Sequence, residues 1–393
     1  MLDTILIGTS GLLGHAQGLR TIGNNLANVN TPGFKGAQLD FANLVNQESG
    51  GRQAGADNRP GRGAGLETLG TRISFQAGMD RATGNPLDLS IDGNGFYTLK
   101  RGEQLLYSRA GDFQFDRDGV LTNHSGDRVQ GLDGHGKLTD ITLDNLQRNM
   151  PKATSKVTFS GSLNTATEAP ASQTNLNGVT VYDPAGEAVL LNLSFLHKGA
   201  GDYALTVTDP AGKTLHVSNV KFTAGFPSPV SSEVTFTHTP ASGNPFTLTL
   251  DLSQGVTSLA QTSSLAMLAQ DGYRAGLPTG QAIGSDGKLT VYYSNGQSAT
   301  GERIALANFL NADDLEQGSG STFIARQGVP VRYGFAGSED FGKLVPGHQE
   351  GSNIDMASEF SNLILMQRGY QASSHVISTA NDMIQQLFEM KGR

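Results

Sequence analysis

The sequence predicts a mainly β protein with a long α-helix at each end. Near both termini, apolar residues recur every three and four positions. Between them lie short alternating apolar runs, and Gly is abundant at 51 of 393 residues. We expect a coiled-coil-like helical domain from both termini, a discontinuous inner β domain and an inserted outer β domain. The predicted limits are 1–34 with 352–393 (helical), 35–65 (Gly-rich connecting segment), 66–150 with 262–351 (inner) and 151–261 (outer).

The N-terminal helix is predicted from a heptad-like stripe with few charges. Before Phe34 the formal charges are Asp3 and Arg20, too few for a helix that faces water. Asn, Pro and Gly residues at 28–33 predict its end, because Pro cannot continue a helix and Gly permits left-handed backbone. The stripe consists of Leu2, Ile5, Thr9, Leu12, Ala16, Leu19, Gly23 and Leu26.

The C-terminal helix is predicted from the same spacing, and the residues at 352–355 suit its capped start. We interpret both stripes as assembly seams that neighbouring copies complete, so we expect neither helix to have a partner in the isolated chain. The alternative is that the terminal helices pack on their own domain or on each other. The C-terminal stripe consists of Phe360, Leu363, Gln367, Tyr370, Ser374, Ile377, Asn381, Ile384 and Phe388.

Turn motifs between short apolar runs predict the β domains. Asp-Pro-Ala-Gly occurs twice, and Asp first, Pro second and Gly fourth fit a type I turn between two strands. The segment from 49 to 65 is rich in Gly and Arg, and it is expected to be a loop or linker. The predicted turns lie at 92–95, 116–119, 183–186, 209–212, 285–288 and 294–297.

Composition and motifs argue against several function classes. A net charge of −8 and a pI near 5.5 argue against nucleic acid or an anionic membrane as partner. Without Cys there are no disulfides, thiolate metal sites or cysteine nucleophiles. The eight His have no ligand spacing, and Asp116 and Asp118 fit a turn better than a calcium loop. We therefore expect no catalytic site, no metal and no cofactor, and the first residues do not form a secretory signal.

The chain carries one motif near each end, at 22–35 and at 352–355 with 367–372 and 377–380. Both motifs resemble those of the bacterial flagellar rod and hook proteins. The segments 92–97, 107–113 and 341–344 are similar to the inner β domain of that family, whereas the middle is similar only in being β. Gly369 stands where many relatives carry a larger residue. The signature positions in this chain are Gly23, Asn24, Asn25, Asn28, Thr31, Gly33, Phe34, Gln367, Arg368 and Tyr370.

The resemblance implies a tube. The terminal helices would line it around an export channel, the inner β domain would form its wall, and the insertion would lie outermost. Rod proteins of the family are much shorter, so the insertion at 151–261 implies a structural subunit of the hook, a flexible curved tube that transmits torque from rod to filament.

The implied partners are further copies of the chain, the flagellar rod, hook cap and hook–filament junction proteins, and the type III export apparatus. No nucleic acid and no membrane partner is implied, and the implied location is the extracellular flagellum, reached without a cleaved signal. Two alternatives remain: a distal rod or hook-associated protein, and a secreted β-rich binding protein with helical anchors.

Overall fold

The computed structural model describes residues 2–46, 62–166, 172–240, 243–260 and 262–391. It confirms a mainly β chain with a long helix at each end. The chain divides into two compact units. Unit 1 comprises Met1–Asp144, Gln281–Thr290 and Thr300–Arg393, and unit 2 comprises Asn145–Gly280 and Val291–Ala299. The expected outer domain at 151–261 falls inside the wider limits of unit 2. The terminal helices share unit 1 with most of the expected inner domain, whose residues 145–150, 262–280 and 291–299 belong to unit 2.

The two helices are α1 (Leu2–Ala27) and α2 (Met356–Lys391). Beyond α1 the backbone turns, and Gly33 adopts the left-handed region at φ 63°. Asp355 caps α2, since its Oδ1 accepts hydrogen bonds from the backbone N–H groups of Ala357 at 2.8 Å and Ser358 at 3.4 Å. Both predicted boundaries are therefore confirmed.

The helices α1 and α2 pack against each other in antiparallel directions. The contact is made largely by small residues, which bring the two backbones close together. The expectation that neither helix has a partner within its own chain is therefore wrong, and the alternative in which they pack on each other is confirmed. The facing pairs are Gly8 with Ile377, Gly11 with Ser373, His15 with Gly369 and Gly18 with Met366.

The strands β1 (Ala37–Asn46) and β2 (Arg62–Ile73) form an antiparallel hairpin beside α1. The expected connecting segment at 35–65 therefore contains strands at both of its described ends. Apolar residues Leu39 and Phe41 alternate with polar ones, as in a half-buried strand. Phe41 and Leu66 lie close to Gly14 of α1. The rest of the expected loop, 47–61, lies outside the described residues.

A 13-stranded sheet and two short strand pairs follow in the chain. The central order of this sheet is β21-β22-β23-β9-β5-β6-β26-β25, and the short pairs are β28 with β4 and β29 with β3. The strands are β3 (Asp80–Ala82), β4 (Leu89–Asp92), β5 (Phe96–Arg101), β6 (Gln104–Ser108), β7 (Phe113–Phe115), β8 (Leu121–Asn123), β9 (Arg128–Leu132), β10 (Leu138–Asp140), β21 (Pro278–Ile283), β22 (Lys288–Tyr293), β23 (Ser298–Ile304), β24 (Leu306–Phe309), β25 (Leu315–Gln317), β26 (Thr322–Ala325), β27 (Val331–Gly334), β28 (Lys343–Pro346) and β29 (His348–Glu350).

Unit 2 contains two five-stranded sheets around one apolar core that includes Phe159, Phe195 and Tyr203. One sheet has the order β17-β18-β11-β19 with β20 on β11, and the other has β12-β13-β14-β15-β16. The strands are β11 (Lys156–Asn164), β12 (Gln173–Tyr182), β13 (Ala188–Gly199), β14 (Asp202–Thr208), β15 (Thr214–Thr223), β16 (Phe226–Pro227), β17 (Glu233–His238), β18 (Phe246–Asp251), β19 (Val256–Ala260) and β20 (Ala266–Gln270).

The predicted hairpin turns are confirmed. Asp183 joins β12 to β13, and its Oδ1 accepts hydrogen bonds from the N–H groups of Ala185 and Glu187, both at 2.9 Å. The second Asp-Pro-Ala-Gly joins β14 to β15. The turn at 116–119 joins β7 to β8, and the two later turns join β21, β22 and β23. The Asp116 carboxylate accepts backbone N–H bonds inside its own turn.

The close contact of α1 with α2 predicts opposite effects for two substitutions by Ala. In Gly8→Ala the new Cβ would lie 2.7 Å from Cγ1 of Ile377, so the helices must separate, whereas a Cβ at Gly23 meets nothing within 4 Å. We expect Gly8→Ala to lower the free energy of unfolding by about 1–3 kcal/mol. Gly23→Ala should raise it by about 0.5–1 kcal/mol, because Ala favours helix over Gly. Urea unfolding followed by far-UV circular dichroism tests this, and equal effects would contradict the observed packing.

Candidate assembly surface

Three charged side chains from distant parts of unit 1 are buried together. Lys35, Arg109 and Glu350 are only 1%, 7% and 3% exposed, and we call them the buried charge cluster. Oε1 of Glu350 pairs with Nζ of Lys35, and Oε2 accepts a hydrogen bond from Nη1 of Arg109 at 3.3 Å. Lys35 precedes β1, Arg109 follows β6 and Glu350 ends β29, so the cluster joins both terminal segments to the β domain.

Backbone groups also form hydrogen bonds with the buried charge cluster. Nζ of Lys35 donates to the carbonyl oxygen of Gln76 at 2.7 Å, and Nη2 of Arg109 donates to that of Gly93 at 2.7 Å. Burial lowers the pKa of Lys35, and this loss of hydration outweighs the attraction of Glu350. Because two cations share one carboxylate, Glu350 is the member whose loss leaves uncompensated charge.

Two asparagines extend this network to the helices. Asn25, in α1, donates from Nδ2 to the carbonyl oxygen of Ala37 at 2.8 Å and accepts at Oδ1 from the N–H of Ala37 at 3.1 Å. Its Nδ2 also donates to Oε1 of Glu359 in α2 at 3.2 Å. Asn353 accepts from the N–H of Gly36 at 2.8 Å. The end of α1 and the start of α2 are therefore both fixed to β1.

Several signature residues thus have internal roles. Asn25, Gly33 and Phe34 are buried, and the N–H of Gly33 donates to the carbonyl oxygen of Glu350 at 2.7 Å. A Cβ at Gly33 would collide with the backbone of Ala110, so a side chain is excluded there by space as well as by φ. The remaining signature positions are exposed (Gly23, Asn24, Gln367, Arg368, Tyr370) or half-buried (Asn28, Thr31).

The helix pair exposes many large apolar side chains among its polar ones. Phe388 is 72% exposed and Leu365 64% exposed, and such a concentration of exposed apolar residues marks an interaction surface. Arg368 is the sole Lys or Arg between 356 and 390. We call the following residues the apolar helix surface: Leu6, Ile7, Leu13, Met356, Phe360, Ile364, Leu365, Tyr370, Val376, Met383, Leu387, Phe388 and Met390.

The residues predicted as assembly seams fall into two groups. Phe360, Tyr370 and Phe388 are exposed and belong to the apolar helix surface. The side chain of Leu2 lies outside the described residues. The contact of all the seam residues with neighbouring copies stays a prediction. The members half-buried within their own unit are Ile5, Leu12, Leu19, Leu26, Leu363, Ile377 and Ile384.

Sequence reasoning missed the buried charge cluster and several of the most exposed apolar residues. Leu365 and Met390 lie off the two predicted stripes, although both are more exposed than most stripe members. The signal for the cluster was present in part, because Lys35 and Arg109 each stand inside a signature motif next to apolar residues. Nothing local to the sequence indicates that Glu350 is their common partner.

Neither long helix has a sufficiently apolar stretch to span a lipid bilayer over the residues that the structure describes. Within the same residues, no group of three or more His, Asp or Glu side chains is placed to hold a metal ion.

Three family models match the chain in separate segments. "Flagella basal body rod protein" matches residues 5–35, "Flagellar hook protein FlgE/F/G D1 domain" matches 90–162, and "Flagellar basal body rod FlgEFG protein C-terminal" matches 345–390. The first and last contain nearly all of α1 and of α2, and the second contains β5 to β10. The matched segments therefore hold the helix pair and every member of the buried charge cluster.

Relatives align over almost the full length. The chain is 30% identical to the flagellar hook protein FlgE of Rhizobium meliloti, covering 99% of this chain and 98% of the relative. It is 28% identical to that of Borreliella burgdorferi, with 100% of both covered, and 29% identical to that of Salmonella typhimurium, with 97% and 98% covered.

A solved structure agrees in fold. The flagellar hook protein FlgE2 of Helicobacter pylori matches with a TM-score of 0.51 at 14% identity, covering 68% of this chain and 100% of that one. The full-length sequence relatives, with the three family models in the expected order, carry the assignment. The chain belongs to the flagellar hook protein family.

Proposed function

We propose that this chain is a structural subunit of the bacterial flagellar hook and polymerises with itself into a flexible curved tube that transmits torque from rod to filament. The observation that carries the proposal is the apolar helix surface, which the described residues of its own chain leave exposed. Covering such a surface with neighbouring copies removes apolar area from water, at about 25 cal/mol per Å². No catalytic role is part of the proposal.

The helix pair suits an open polymer. The exposed residues of α1 and α2 differ in sequence, so one copy presents two dissimilar faces. A contact between dissimilar faces repeats head to tail, and it generates a helical filament when the rotation does not close. Contacts between apolar side chains are not directional, so they tolerate the sliding that bending demands.

Within the flagellum, the proposed partners are the rod, hook cap and hook–filament junction proteins. The proposed route is the type III export apparatus, and the proposed location is outside the cell. Unit 2 is proposed to include the inserted outer domain. A distal rod or hook-associated protein is less favoured, since relatives that align over nearly all of this chain carry the name of hook proteins.

Electron microscopy of the polymerised purified chain tests this function directly. We expect long curved tubes, because a hook subunit assembles with itself and bends. Short straight rods would favour the distal rod alternative. A chain that stays monomeric under all polymerising conditions would overturn the proposal.

The apolar helix surface predicts a defect in assembly without a defect in folding. Leu365 is 64% exposed, so Leu365→Asp should leave the thermal unfolding of the monomer unchanged. In a polymer it would bury one carboxylate per copy, at several kcal/mol each, and filament yield should collapse. Ile377→Asp should instead destabilise the monomer, since Ile377 packs on Gly8.

A matched control for Leu365→Asp is Val230→Asp in unit 2, where the side chain is 95% exposed and lies far from the helices in sequence. It adds the same charge and should assemble normally. Normal tubes from Leu365→Asp, seen beside those from Val230→Asp, would remove Leu365 from the interface.

Substitutions of Glu350 and Lys35 in the buried charge cluster should lower the free energy of unfolding by unequal amounts. Glu350→Gln leaves Lys35 and Arg109 as buried cations without a carboxylate, so we expect it to lower the free energy of unfolding by about 3–5 kcal/mol. Lys35→Met retains the balanced pair of Arg109 and Glu350 and should cost less, since exchanging buried charge for packed apolar volume is often nearly neutral.

Urea unfolding followed by far-UV circular dichroism measures both variants, because α1 and α2 supply the α-helix of the described residues. Glu339→Gln, at an exposed position in unit 1, is the control for the substitution itself. Equal losses for Glu350→Gln and Lys35→Met would mean that charge balance does not govern the cluster.

A further inference from the structure

A pocket of about 380 Å³ opens beside the end of α1 in unit 1. Its lining includes the signature residues Asn24, Asn28 and Thr31, whose roles the fold leaves open. Thr31 and Asn28 bond to each other at 3.1 Å, and Nδ2 of Asn28 donates to the backbone of Asn24 at 2.9 Å. Gln317 contributes a further amide. The pocket therefore combines a recess with several hydrogen-bond acceptors.

The charged group of this pocket is Asp112, a half-buried carboxylate. Among the residues that the structure describes, no Lys or Arg pairs with it, and His124 on the pocket wall is exposed. Burial is the main cause that raises the pKa of Asp112, and the nearby carboxylate of Asp88 adds to it. The oxygens of Asp88 already accept bonds from Asn85 and Gln349 at 2.9 and 3.0 Å. The pocket thus presents a carboxylate that has no Lys or Arg partner among the described residues and lies near the imidazole of His124, which favours its charged form.

A complementary group stands on the apolar helix surface. Arg368 is exposed, and the positions three and four residues away hold Leu365, Ile364, Gln371 and Ala372, none of which is acidic. When this surface is covered by a neighbour, the guanidinium loses water and requires a carboxylate. Its five donors suit a pocket that offers one carboxylate and several amide and hydroxyl oxygens.

The two groups cannot meet within one copy. Glu359 of α2 contacts Asn25 near the pocket end of α1, and Arg368 lies nine residues further along the helix. That separation is roughly 13 Å along the axis, longer than an extended Arg side chain. At that level α2 faces His15 of α1, well away from residues 24–31.

We propose that the pocket at Asp112 receives the guanidinium of Arg368 from a second copy of this chain. The inference rests on the proposed polymer and names one of its specific contacts. It joins two different surfaces, so it is a head-to-tail contact of the kind that an open filament repeats.

Charge reversal tests the contact. Asp112→Arg alone and Arg368→Glu alone should each raise the critical concentration for polymerisation by about tenfold, equivalent to about 1.4 kcal/mol per contact, and so lower filament yield. The double variant should restore the yield, because the pair is re-formed with opposite signs. Controls are Asp118→Arg and Arg117→Glu in an exposed turn, which should assemble normally.

A rival occupant is Arg20, the other exposed arginine of the helix pair. Arg20→Glu combined with Asp112→Arg should give no rescue, and rescue by it would assign the pocket to Arg20 and overturn the proposal. A double variant of Asp112 and Arg368 that assembles no better than the single ones would also overturn it, while wild-type tubes would still support the proposed function. Failure of the wild-type chain to polymerise would reject both.

Cysteine cross-linking gives a second measurement, should Asp112→Arg fail to fold. The chain has no Cys, so Asp112→Cys and Arg368→Cys copies contain one thiol each. Because an extended Arg holds the two Cα atoms beyond the reach of a disulfide, the tubes grown from the mixture are treated with a short bis-maleimide, which should yield cross-linked dimers between the two variants. Mixtures of Asp112→Cys with Arg20→Cys should not, and dimers from that mixture alone would contradict the proposed contact.

Discussion

The structure of unit 1 depends on one buried carboxylate. Glu350 lies between Lys35 and Arg109, and these residues come from the segment after α1, the β domain and the segment before α2. A buried cation without a partner costs several kcal/mol, so removal of the segment that carries Glu350 penalises the segments that carry Lys35 and Arg109. Both ends of the chain are thereby held to the β domain as a single cooperative arrangement. The end of α1 and the start of α2 are therefore both fixed to the β domain.

In the helix pair, small residues lie at the contact between α1 and α2, and large apolar residues are exposed. Glycines at 8, 11, 18 and 369 form much of the contact between α1 and α2, whereas large apolar side chains such as Phe388 and Leu365 point outward. A contact between small residues brings backbones together but consumes little apolar area. The pair is therefore held in place while its capacity to bind neighbours is kept. In a monomer this arrangement is a liability, and in a polymer it is what drives assembly.

Local features such as turns and helix ends were predictable from the sequence. The face of each helix that contacts the other helix was not. Each predicted hairpin turn and both helix boundaries were correct, because Asp, Pro and Gly act on the backbone within four residues. The stripe at 8, 11, 15, 18, 22 and 25 has the same three-four spacing as the predicted seam, but its glycines gave no apolar signal. The pairing of Lys35 with Glu350 spans 315 positions, and no local pattern encodes it. The seam residues are predicted to contact other copies, and the structure of a single chain does not test that contact.

Directional and non-directional interactions are separated in this chain, and the separation fits a tube that bends while it turns. Charged hydrogen bonds to Glu350 are directional, so they keep their strength at one geometry and make the subunit rigid. The apolar helix surface has no such geometry, so neighbouring copies can slide by small steps at little cost. Sliding alone would let the register drift, and a polymer needs at least one contact that fixes it. A single recessed charge pair, such as Arg368 with Asp112 of the next copy, is such a contact. A guanidinium that leaves its carboxylate loses more interaction energy than an apolar side chain that moves along its neighbour.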